Sequence, residues 1–138
     1  MSDPGTSITE VVKAGFDRAC AEFSIEAERF GFCRTRKRIW TRPRAGKLDL
    51  IYLERSGAGK QALTASVGVR AKFSIVDSPL RDPIKLNGPD SDQLRAPSGY
   101  GYHLRFNAAS GSTYDRCMED LKRVLSEHGL PWFERGGV

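Results

Sequence analysis

Two neighbouring stretches of this chain carry different hydrophobic patterns, and together they limit the fold more than any other feature. Over residues 63–75, Leu63, Ala65, Val67, Val69, Ala71, Phe73 and Ile75 alternate with Thr64, Ser66, Gly68, Arg70, Lys72 and Ser74. Alternation with a period of two marks an antiparallel strand with one face on a core and the other facing water. Residues 48–55, just before it, are apolar on both alternations: Leu48, Leu50 and Tyr52 on one side, Ile51 and Leu53 on the other. A strand apolar on both faces is central and covered twice. The intervening Ser56-Gly57-Ala58-Gly59-Lys60 reads as the glycine-rich joint of a hairpin. If helices cover one face of this hairpin, something else must cover the apolar half of the other, because a soluble monomer rarely leaves such a patch open.

The helices are readable at both ends of the chain. Ser7 with Glu10 three residues later has capping-box spacing, which satisfies two orphan N–H groups. From there Ile8, Val11, Val12, Phe16, Ala19, Cys20, Phe23, Ala27 and Phe30 recur at steps of three and four, one stripe of an amphipathic helix. Gly31 suits its C-cap, and Phe32 can fold back on the last turn. Near the other end, Ser110-Gly111-Ser112-Thr113 leads into a helix buried through Tyr114, Cys117, Met118, Leu121, Val124 and Leu125. Gly129 is expected to cap it and Pro131 to prevent continuation, leaving Trp132 and Phe133 to anchor the tail.

Further strands are expected over residues 38–42, ending at Pro43 with a turn through Pro43-Arg44-Ala45-Gly46, and around Tyr102, Leu104 and Phe106. Residues 77–101 hold Pro79, Pro83, Pro89 and Pro97 and show no periodicity, a long connection for a compact domain. They hide a short element around Ile84 to Leu86 or form a covering or mobile flap. Leu80, Ile84, Leu86 and Leu94 would then cover the second face of the sheet; a second copy of the chain is the other candidate. The order predicts a single α+β domain over residues 1–138 with a flexible start at residues 1–6. Its two layers are a mainly antiparallel sheet of four or five strands and two helices packed on one face.

Composition narrows the function classes. Hydrophobic residues are 39% and charged residues 28% of 138, a soluble globular profile, and no apolar run is long enough to span a membrane. Residues 1–6 show no basic stretch running into an apolar core, so no secretory leader is expected and the location is expected to be cytoplasmic. There the three cysteines, Cys20, Cys33 and Cys117, would be reduced thiols, with Cys20 and Cys117 acting as small hydrophobes on helix faces.

Taken together, Gly31-Phe32, the basic residues after it, Trp40 with Arg42, the run Leu48-Asp49-Leu50-Ile51-Tyr52-Leu53-Glu54-Arg55-Ser56, the glycine joint, Thr64-Ala65-Ser66-Val67-Gly68-Val69 and the closing Leu130-Pro131-Trp132-Phe133 resemble a family. It is the bacterial domain-of-unknown-function family numbered 4304. The likeness covers roughly residues 8–76 and the tail. It consists of core and turn residues, so it implies a fold and no activity.

No motif selects a reaction. Ser56-Gly57-Ala58-Gly59-Lys60-Gln61 lacks the glycine and the Ser or Thr of a phosphate loop, and it leads into a strand. His103 and His128 fall on different elements, no cysteine has a close partner, and neither a metal site nor a cofactor is implied. Nothing marks a nucleophile to meet His103. One feature does hint at a partner. Residues 30–48 hold Arg34, Arg36, Lys37, Arg38, Arg42, Arg44 and Lys47 with no acid, more positive charge than the whole chain's net +5. In a regular strand Arg34, Arg36, Arg38, Trp40 and Arg42 share one face, a pattern that suits phosphate contact with base stacking. The same charges protect an edge strand from aggregation, or meet an acidic protein.

The leading expectation is therefore a small cytoplasmic binding or interaction protein, monomeric or weakly dimeric. An immunity-type protein that masks a toxin is one form of it. The alternative is a nucleic-acid-binding module using the basic face of Arg34, Arg36, Arg38, Trp40, Arg42, Arg44 and Lys47. The third is an enzyme with a pocket under residues 77–101.

Overall fold

The structure is a computed structural model that describes residues 7–56 and 64–138. Helix α1 runs Ile8–Arg29, and the Ser7 half of the expected capping box is present: Ser7 Oγ accepts the Glu10 N–H at 3.1 Å. Gly31, at φ 88°, lets the chain turn back so that the Phe32 N–H reaches the Ala27 carbonyl. Five strands follow in the order β1-β2-β3-β4-β5 with every neighbour antiparallel: β1 Cys33–Arg36, β2 Ile39–Arg44, β3 Lys47–Ser56, β4 Ser66–Asp77 and β5 Arg105–Asn107. Helix α2, Tyr114–Val124, passes through a π-helical turn, Leu125–Gly129, into α3, Leu130–Glu134. The structure is thus the expected two-layer α+β domain. The glycine joint at residues 57–60, Leu63 and the expected flexible start at residues 1–6 lie outside the described residues.

The register explains the two layers. Ile51 faces Phe73 and Leu53 faces Ala71 across the β3–β4 ladder, and Trp40 faces Ile51 across β2–β3. These side chains share the face that meets Phe16 and Phe23 of α1 and Met118 and Leu121 of α2, all fully buried. Phe23 stands edge-on to Trp40, ring centroids 5.0 Å apart, and the Trp40 indole N–H donates to Ser24 Oγ at 2.9 Å.

The opposite face is covered by the long connection. Leu50 and Ser74 are completely buried there, with Ile39, Thr41 and Leu48 nearly so. Ser74 Oγ donates to the Lys85 carbonyl and to Asn87 Oδ1, while Asn87 exchanges bonds with both main-chain groups of Ile75. The Phe73 N–H donates to the Pro89 carbonyl, and the Ala71 N–H to Ser91 Oγ in a 3₁₀ turn, Ser91–Gln93. Arg70 grips Asp90 with two nitrogens. The connection therefore works as a strap: it seals the edge of β4 beyond β5 and crosses the sheet far enough for Asp82 to meet Arg36 of β1 at 2.8 Å. Ile84 and Leu86 lie beside Ile39 and Tyr52, but Leu86 stays 41% exposed, and Leu80 borders a concavity with Lys47, Ile75 and Val76. Leu94 instead packs on the helix side of the sheet.

Three local readings need correction. Pro43 lies inside β2, opposite Leu48 and beyond the Cys33–Thr41 pair that ends β1, a place where β2 has no outer neighbour to miss its N–H. The turn is the two residues Ala45 and Gly46, both at positive φ, the hairpin turn whose twist matches the strands. The β5 strand is only three residues long, although Leu104 still accepts the Val69 N–H. Finally, Gly129 does not end the helix. Its φ is helical, and a Cβ there would sit 2.6 Å from the Phe73 ring, so the missing side chain serves close packing of helix on sheet. The widened turn lets Pro131 fall at the start of α3, where its absent N–H costs no helical bond. The real stop is Gly136-Gly137, with the Gly137 N–H on the Trp132 carbonyl. Phe133 is fully buried, so the tail is anchored as expected.

Candidate functional site

The seven basic residues do not form one continuous face. The chain reverses at Lys37 and Arg38, so that Arg34 of β1 stands directly across from Trp40 of β2. A bulge between Arg34 and Arg36 then turns Arg36 to the strap side, where it pairs with Asp82. Arg42 and Arg44 are structural. Arg42 donates two bonds to Asp49 at 2.9 and 3.1 Å and one to the Phe30 carbonyl, with its guanidinium over the Phe32 ring. Arg44 meets Glu134 at 3.0 Å and the Phe133 carbonyl. These two arginines tie β2 to the end of α1 and to the tail. Lys47 pairs with Asp77. Trp40 is wholly buried, so it offers no ring to a base.

What remains is a corner. Arg34 donates to the Lys37 carbonyl and lies 5.3 Å from the Trp40 ring; Arg38 lies 4.9 Å from the Phe16 ring. Neither meets a carboxylate among the described residues. Lys37 is exposed and reaches Asp17 of α1 only at 4.0 Å. Lys13, one helical turn before Asp17, is exposed as well. All four residues of β1 are exposed and its outer edge is open, the position at which charge discourages edge-to-edge pairing.

Cys20 lies under this corner. Burial pushes its thiol up to about 11 even though Arg34 and Arg38 pull the other way. Burial, helped by Asp120, pushes Cys117 up to about 12. Since the thiolate is the reactive form, a thiol reagent at neutral pH is expected to label the exposed Cys33 in the native protein and the other two only after unfolding. Three labels on the native chain, read by mass spectrometry, would contradict the packing.

A second concavity lies at the other end of the sheet. Residues 91–95 and 101–105 wall an open cleft of about 880 Å³ over Ser56 and Val69. Behind it the buried Asp120 of α2 accepts from the Tyr100 hydroxyl at 3.0 Å and the His103 N–H at 2.7 Å, and the Tyr102 hydroxyl donates to Glu127. Burial and Glu127 hold the Tyr102 phenol far above its ordinary range. These contacts position residues 100–103. The cleft was hard to foresee, because Arg95 sits in the connection without periodicity and His103 reads only as the polar side of a strand. Among the described residues no group of three His, Cys, Asp or Glu could hold a metal ion, and no helix is long and apolar enough to cross a membrane.

Fold and corner together define a strapped antiparallel α+β domain with a small anchored cationic corner. No family model matches the chain, and neither a curated protein nor a solved structure does. The resemblance to family 4304 rests on the quoted residues alone.

Proposed function

We propose that this chain is a non-catalytic protein-binding domain that takes an acidic protein surface at the corner formed by Arg34, Lys37 and Arg38, with Lys13 beside them. The observation that carries the reading is that Arg34 and Arg38 are fixed against aromatic rings yet have no carboxylate partner among the described residues. Cations already held in place lose little freedom when they meet a partner, which favours affinity, and their charge steers the encounter. Masking of a toxin by an immunity-type protein is one concrete form of this role.

The test reverses charge. Arg34→Glu, Lys37→Glu and Arg38→Glu together should leave the fold intact, because none of the three is paired in a buried bridge. A partner captured from source cells and then purified should bind the wild type with a salt-sensitive rate and bind the variant about a hundredfold more weakly. A purified partner indifferent to the reversal would refute the corner. Binding of a mixed-sequence oligonucleotide at about 50 mM salt, lost in the same variant, would replace the protein partner with nucleic acid.

A further inference from the structure

The cleft at the β4–β5 end of the sheet is independent of the cationic corner, which lies on the β1 side. Its size falls within the range of sites for small molecules. Among the described residues three basic side chains line it: Arg95, His103 and Arg105. The Arg95 main chain is fixed by a bridge to Gly101 and by a bond from the His128 ring to its carbonyl, and its guanidinium meets no carboxylate among the described residues. The one acid in the wall among the described residues, Asp92, is drawn to Arg70 at 3.2 Å. Gln93 and Ser56 add neutral polar groups.

A second observation points the same way. His103 Nε2 is buried and has no hydrogen-bond partner among the described residues. Buried polar atoms are nearly always bonded, so an orphan in the wall of a cleft calls for a missing partner. An imidazole N–H can donate to an anion. Guanidinium forks match phosphate oxygens in pairs, and a polar wall suits a body rich in hydroxyl groups.

We infer that this cleft binds a phosphate monoester on a small polar body, such as a sugar phosphate, with Arg95 and His103 holding the phosphate.

Calorimetric titration with ribose 5-phosphate, inorganic phosphate and ribose tests it, with the His103 ring signals followed by NMR. Ribose 5-phosphate should bind and move those signals, more tightly than inorganic phosphate, and ribose should do neither. Arg95→Gln, an exposed change that leaves the fold alone, should weaken binding at least about tenfold, as should His103→Gln. The charge-reversed corner variant should bind as the wild type does, so failure here and failure of the corner are separable. No heat and no shift at about 10 mM ribose 5-phosphate would overturn the inference. Undiminished binding by Arg95→Gln, or equal binding of ribose, would overturn it as well.

Discussion

Replacing Asp49 with asparagine is expected to cost the fold about 3 to 5 kcal/mol. Asp49 is only 2% exposed, and its carboxylate accepts two bonds from Arg42 and stands 3.4 Å from Arg44. Asparagine keeps the shape and removes the charge. The Arg42 guanidinium, itself mostly covered and wedged over Phe32 and Phe133, is then left among apolar rings with an amide in place of its counter-ion. Glu134 is 3.7 Å away but exposed, so water screens it and it replaces little. Since Arg42 also bonds the carbonyl at the end of α1, the loss should loosen the joint between α1, β2 and the tail together. Urea unfolding measures it. A loss below about 1 kcal/mol would mean that Glu134 and solvent carry Arg42.

Phe23→Ala should cost about as much, 3 to 5 kcal/mol, for an unrelated reason. Phe23 is 1% exposed and stands edge-on to a Trp40 that is itself fully buried. Truncation removes the ring's transfer energy and leaves a cavity that β2 cannot collapse into, because Trp40 is held at Ser24. The double variant with Trp40→Phe is expected to be less than additive, since the two rings share one contact. A small loss for Phe23→Ala alone would show that α1 presents another face to the sheet.

The parts of the fold legible in the sequence are those where local chemistry and burial agree. Ser7, Glu10 and Gly31 mark the ends of α1 by hydrogen bonds that any helix must make, and Val67 to Ile75 alternate because one face of β4 meets the helices. Leu48 to Leu53 demanded a cover on both faces, and the strap supplies the second. The misreadings have a common cause: a residue whose usual local meaning was overridden by a neighbour distant in sequence. Gly129 looked like a cap, and Phe73 is the reason for it. Pro43 looked like a stop, and the short reach of β1 makes it harmless. Lys37 and Arg38 form a turn without glycine, proline or asparagine, so nothing local announced that the basic run folds back on itself. For the same reason Trp40 read as a surface ring among arginines. The cleft was less legible still, because Arg95 and His103 are brought together by main-chain bonds to Gly101 and Asp120 that no spacing encodes.

The strap also sets how many sheet neighbours this molecule can accept. Along β4 the outward main-chain groups are taken by Asn87, Pro89, Ser91 and Leu104, and on β5 the Asn107 N–H and Arg105 carbonyl are taken by Ser112 and Thr113. Among the described residues the open side of the sheet is β1, with the end of β2 beyond it. In assembly terms the described residues offer a valence of one for edge-to-edge pairing. Two copies joined edge to edge through β1 would close on each other as an isologous pair and stop there, whereas a growing fibre needs two open edges on every unit. A change that lifts Asn87 or Pro89 off β4 would open a second edge on each unit, the condition for edge-to-edge growth.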